Sequence, residues 1–180
     1  MDDERYLPPE RPARKPGQEP TARLTLDAYI RLRKELEELK TDGRRKMAER
    51  LLHARELGDI MENAEYDAAK DAQGLMEARI RDLEYKLKDP EIIEASAESE
   101  HVEPGTLVTL RPLDEEDLEE ETYLVALSPE ERAPGFRTVT SSSPLGAVLI
   151  GRRVGEQVTY EAPGGTFTFE VVGFEPYRPA

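Results

Sequence analysis

The 180-residue sequence contains no cysteine and no tryptophan. Without thiols there is no disulfide framework and no cysteine nucleophile, and two widely separated histidines, His53 and His101, leave no zinc-ligand spacing. Aromatic residues are sparse, at 6%. No apolar run approaches the roughly 20 residues that span a bilayer, and the N-terminus lacks the apolar core of a secretory signal. A reducing, cytoplasmic setting is the expectation. Basic charge is also in deficit, with 25 Lys and Arg against 39 Asp and Glu and a formal net charge of −14. Sequence-independent affinity for duplex DNA comes mainly from cations neutralising phosphates, so this balance argues against it. A local basic spot can still meet RNA.

What is present is charge: 36% of residues are charged and only 37% belong to the hydrophobic set, so much of the chain must stay solvated. That composition suits an extended helical element joined to a small domain. Residues 1–22 mix both signs of charge with Pro8, Pro9, Pro12, Pro16 and Pro20 and hold little apolar material to offset ordering entropy. They read as a disordered proline-rich tail, either inert or a tether. From Thr25, a suitable N-cap, Tyr29, Leu32, Leu36 and Leu39 recur at helical spacing. The pattern resumes with Met47, Leu51, Ala54 and Leu57, then with Ala68, Ala72, Met76, Ile80, Leu83 and Leu87.

Two apolar stripes separated by a turn signal predict an antiparallel α-helical coiled-coil hairpin over 23–89. Both Thr41-Asp42-Gly43 and Gly58-Asp59 are turn signals. Turning at Gly58 gives matched arms, 26–57 and 63–87, the first about 48 Å long at 1.5 Å per residue. Gly43 is then a local irregularity. Asp89-Pro90 ends the second helix, because the residue before proline avoids helical geometry. A polar linker covers 90–104. Strand-like segments follow at Thr106–Leu110, Thr122–Leu127, Phe136–Thr140, Gln157–Glu161 and Thr166–Phe174, with a hairpin turn at Pro163-Gly164-Gly165 and a short helix starting at Ser143-Pro144. The acidic run Asp114–Glu121 reads as a solvated loop between strands. The expected class is α+β, with the sheet domain over 105–177.

At the preferred turn, over 58–63, Asp59 and Glu62 stand three residues apart. Their hard oxygens suit Mg²⁺, which keeps most of its waters and is usually held by one or two carboxylates plus substrate phosphates, so binding by the isolated chain should be weak. The same Asp-x-x-Glu spacing is also a capping box, and the two readings are compatible.

The run Ala54-Arg55-Glu56-Leu57-Gly58-Asp59-Ile60-Met61-Glu62-Asn63-Ala64-Glu65-Tyr66-Asp67-Ala68-Ala69-Lys70 resembles the signature of the bacterial GreA/GreB transcript-cleavage factors. Similarity extends through Gln73-Gly74 to Leu83-Glu84 and returns at Ser143-Pro144-Leu145-Gly146 and Pro163-Gly164-Gly165, covering about residues 23–177. The resemblance implies a hairpin that enters the secondary channel of RNA polymerase and a C-terminal FKBP-like α+β domain, with an antiparallel sheet, that docks at the rim. It places Asp59 and Glu62 at the family's tip acids, which help hold a second Mg²⁺ shared with the polymerase for hydrolysis of backtracked RNA. Arg55 and Lys70 match positions that contact the extruded 3′ RNA, and Ser142, Ser143 and Pro144 match the polymerase-docking loop. It implies a cytoplasmic, monomeric accessory factor rather than a nuclease. Met61 departs from the basic or polar residue of many relatives. A channel-occupying regulator that inhibits polymerase without stimulating cleavage is the main competing reading. A peptidyl-prolyl isomerase is another, although a fold analogy supplies no site and few aromatics are available to line a proline pocket.

Overall fold

Tyr29 and Leu32 on one helical segment, and Ile80, Leu83 and Leu87 on a later one, are all buried, as their spacing requires. The structure is a computed structural model that describes residues 3–10, 14–56, 64–113 and 119–178. The preferred turn at Gly58 and most of the acidic run, 114–118, lie outside the described residues. The chain divides into two compact units, Met1–Ala22 with Tyr29–Glu91, and Arg23–Ala28 with Ile92–Ala180.

The first unit is helical. Helix α1 (Leu26–Glu38) begins in the second unit's share of the chain, where Thr25 Oγ1 accepts from Ala28 N at 3.3 Å, as expected of the cap. It runs into a π-helical turn, Leu39–Gly43, and then into α2 (Arg44–Glu56); α3 (Ala64–Lys86) follows. The irregularity expected near Gly43 is this π turn. Its wider step absorbs one residue, so Met47, Leu51 and Ala54 keep the phase set by Leu32, Leu36 and Leu39. A Cβ added at Gly43 would lie 3.4 Å from Met76 Sδ, so glycine suits the close approach.

Pairing across the helices fixes their sense. Arg44 makes a two-bond pair with Glu77, at 2.9 and 2.8 Å, and Arg55 meets Tyr66. Each step forward on α2 is matched by an equal step back on α3, as antiparallel helices in constant register require. Glu35–Arg79 and Lys40–Glu84 add cross-helix ion pairs at 2.7 and 2.8 Å, reached along the helices rather than straight across. Such exposed pairs contribute at most about 1 kcal/mol each. One expectation needs correction: Ala68 is exposed and Ala69 is fully buried. The inward stripe of α3 is therefore Ala69, Ala72, Met76, Ile80 and Leu83, continued by Leu87 just past its end. No described helix is long and apolar enough to cross a membrane.

The N-terminal segment departs from its composition. A 3-10 helix spans Asp3–Tyr6, and Tyr6 is buried. Arg14 pairs with Asp89 at 3.1 Å. Where composition led to an expectation of no order, the described residues hold specific contacts, because one aromatic ring and a few charged groups do what an apolar stripe does elsewhere.

Strands β1 (Arg23–Leu24) and β2 (Glu91–Ile92) form a two-stranded sheet, and the rest of the strands belong to the second unit. Strands β3 (Thr106–Pro112), β4 (Glu121–Ala126), β5 (Arg137–Thr140), β6 (Gln157–Ala162) and β7 (Gly165–Pro176) form the main sheet, in the order β5-β4-β3-β7-β6. It is antiparallel except that β5 pairs parallel with β4. The expectation of an antiparallel sheet thus needs this one correction. The β6–β7 register pairs Ala162 with Gly165 across Pro163-Gly164, the predicted hairpin turn.

Helix α4 (Pro144–Leu149) inserts Leu145 and Leu149 among Val108, Leu110, Tyr123, Val125, Phe169 and Val171. On the other side of β4, Leu124 and Ala126 pack with Ala133, Leu107 and Tyr177. A strand buried on both faces reads as an apolar run rather than an alternation, as Tyr123-Leu124-Val125-Ala126 does. Buried Glu131 accepts from Leu127 N at 2.8 Å and from Thr25 N at 3.1 Å, so its carboxylate is bonded at both oxygens.

Candidate functional site

Residues 57–63, with Asp59 and Glu62, lie outside the described residues, so the site is built from the helix ends flanking them. Ala54 in the last turn of α2 and Ala69 near the start of α3 are both buried and mark the facing sides of the two helices. One residue onward turns an α-helix by about 100°. Because the helices are antiparallel, Arg55 and Lys70 turn towards the same side of the pair. Tyr66, one turn before Lys70, projects there as well.

The contacts agree with this placement. Arg55 Nη2 donates to Tyr66 Oη at 3.3 Å, and its guanidinium lies 5.5 Å from the ring centroid. Lys70 Nζ donates to Gln73 Oε1 at 2.8 Å. The Tyr66 phenol is held below its usual range, first by the hydrogen bond from Arg55, with the charges of Arg55 and Lys70 acting in the same direction. The edge is therefore basic with an aromatic ring between the cations. Such a surface attracts phosphate and offers a face on which a base can stack.

The family resemblance singled out Arg55 and Lys70 and gave Tyr66 no part. The missing signal was spacing: Tyr66 and Lys70 are four residues apart on one helix, and adjacent turns share a face. Among the described residues no group of three or more His, Cys, Asp or Glu side chains converges to hold a metal ion.

The second candidate feature is the start of α4. Ser143 Oγ accepts from Gly146 N at 3.2 Å and donates to Thr140 O at 2.8 Å, and Pro144 takes the first helical turn. Ser142 and Pro144 are exposed, whereas Ser143 is half-buried. The Ser143 hydroxyl is thus committed to the fold, and its neighbours face outward. Ser143→Ala should lower stability by about 1 kcal/mol, measured by denaturant unfolding, while leaving Ser142 and Pro144 in place. An unchanged midpoint would mean the cap is replaced by solvent at no cost.

Comparison with known proteins gives concordant matches. The family described as "Transcription elongation factor, N-terminal" matches residues 22–92, and "Transcription elongation factor, GreA/GreB, C-term" matches residues 97–176. Transcription elongation factor GreA of Thermotoga neapolitana is 43% identical over 150 residues, covering 83% of this chain and 94% of that protein. The protein of the same name from Roseiflexus castenholzii is 43% identical over 155 residues, covering 86% and 97%. A solved structure of GreA factor homolog 1 (Gfh1) of Thermus thermophilus is 29% identical, covers 86% of this chain and 98% of its own, and superposes with a TM-score of 0.38.

Proposed function

This chain belongs to the GreA/GreB family of transcription elongation factors, and from that premise we propose that it lends Asp59 and Glu62 to the active site of a backtracked bacterial RNA polymerase. The observation that supports the reading is the edge formed by Arg55, Tyr66 and Lys70 on one side of the helix ends that flank those acids. Acidic groups alone would repel an RNA 3′ end; cations beside them offset that repulsion.

Each residue then has a stated part. Arg55 and Lys70 draw the extruded RNA backbone to the hairpin end, and Tyr66 holds the Arg55 guanidinium on the RNA side. Asp59 and Glu62 orient a water against the scissile phosphodiester. The segment Gly58–Asn63 offers two hard carboxylates and no imidazole or thiolate, a donor set that fits Mg²⁺. Magnesium shared with the polymerase would stabilise the attacking and leaving oxygens of the hydrolysis. Ser142 and Pro144 present the docking edge of the sheet unit, and the protein acts as a cytoplasmic monomer.

The test is to add the chain to stalled, backtracked polymerase complexes. Faster release of the 3′ RNA segment, with no RNA hydrolysis by the chain alone, is the expected result. Binding without faster cleavage would favour an inhibitory regulator instead. Arg55→Ala, Lys70→Ala and Tyr66→Phe should each reduce the stimulation up to about fivefold, the scale of one exposed charge contact, and the two cation variants should show a weaker salt dependence. Unchanged rates at low salt in all three would remove the RNA edge from the account.

A further inference from the structure

The family match begins at residue 22, yet the chain before it grips the helical unit at two places. At the first, Tyr6 is only 7% exposed and its hydroxyl donates to Glu37 Oε2 at 2.7 Å. Arg5 lies 3.5 Å from the same carboxylate and 4.5 Å from the Tyr6 ring centroid, with Lys34 Nζ at 5.6 Å from that centroid. Tyr6 also lines a cavity of about 350 Å³ with Leu36, Glu37, Lys40 and Thr41, where α1 passes into the π turn.

The second grip is at the end of α3, where a helix leaves carbonyls without intrahelical partners. Thr21 Oγ1 donates to Lys86 O at 3.0 Å and accepts from Asp89 N at 3.0 Å, while Thr21 N donates to Asp89 O at 3.0 Å. Arg14 reaches Asp89 O at 3.1 Å and the Asp89 carboxylate at 3.1 and 3.4 Å, and Gln18 Nε2 adds a bond to that carboxylate at 3.2 Å. A cation here also suits the negative end of the helix dipole.

We propose that the N-terminal segment is an internal clasp, gripping the first arm at the end of α1 through Tyr6 and capping α3 through Arg14 and Thr21, so that it ties the part of the hairpin remote from the acids together. Neither helix needs the clasp to form. What it controls is how readily their ends separate, and therefore how rigidly the hairpin behaves as a lever. A tether to some other partner would leave these residues solvated; instead they use their polar groups on the chain itself.

Hydrogen exchange of the full-length protein tests this, comparing wild type with Tyr6→Ala, Arg14→Ala and a variant lacking residues 3–20. Tyr6→Ala should speed exchange over residues 33–43, Arg14→Ala over 83–89, and the deletion over both, each by about tenfold, with the sheet residues 106–176 unchanged. Tyr6→Phe, which keeps the ring but loses the Glu37 bond, should fall between wild type and Tyr6→Ala. Exchange within about twofold of wild type in both windows for the deletion would overturn the proposal. So would an equal rise across the sheet, because the effect would then be global rather than a local release.

Discussion

Asp59→Asn and Glu62→Gln should each lower stimulated cleavage by about two to three orders of magnitude while leaving thermal stability unchanged. These substitutions separate two roles that the sequence alone leaves merged. Asparagine caps a helix about as well as aspartate, and glutamine can close a capping box as glutamate does. A purely structural pair would therefore tolerate both changes. A carboxylate that positions water or shares a cation would not, because the neutral amide loses the charge that stabilises the transition state; groups of that kind contribute about a hundredfold to a thousandfold. Equal loss of activity and stability would instead assign the acids to the fold.

The second large effect is expected at Gly146. A Cβ built there would lie 2.0 Å from Thr140 O and 2.8 Å from its carbonyl carbon, both backbone atoms. The contact cannot be relieved by rotating a side chain. Relief requires moving α4 away from the turn after β5, which breaks the Ser143 bond to Thr140 and draws Leu145 and Leu149 out of the core. Gly146→Ala should cost about 3 kcal/mol or more, at the upper end of overpacking effects, and should loosen the Ser142–Pro144 edge. Denaturant unfolding measures the cost; polymerase binding should weaken with it. A variant within about 0.5 kcal/mol of wild type would show that the helix start adjusts freely.

Much of the helical unit was legible because apolar spacing is the force that assembles it. Leu32, Ile80, Leu83 and Leu87 are where their period places them, and Thr25 and Ser143 cap as their hydroxyls predict. The error at Ala68 has a simple cause: in a run of alanines neighbouring positions are equally apolar, so the phase must come from the larger residues downstream. The parallel β5 was hidden because residue alternation encodes which face is buried and carries no strand direction. The clasp was hidden for a different reason. Composition measures how much apolar surface a segment can bury on its own, whereas Tyr6 and Arg14 bind to groups already held in place by the helices.

The candidate site was legible unevenly. Cations beside two acids at a turn are visible in the sequence, but the Asp-x-x-Glu spacing serves a cap as readily as a cation, and it was the family resemblance that weighted it towards chemistry. The Arg55–Tyr66 contact needed the antiparallel register, since residues 55 and 66 face each other only across the two helices.

On the proposed reading Asp59 and Glu62 complete a metal-dependent active site on the polymerase, and the magnesium dependence of RNA cleavage in backtracked complexes reports on that role. Adding the chain should lower the Mg²⁺ concentration for half-maximal cleavage by at least about tenfold, the scale on which supporting groups alter metal affinity, and Asp59→Asn should abolish that shift without preventing binding to polymerase. A rate increase with the same magnesium dependence in the presence and absence of the chain would contradict the account.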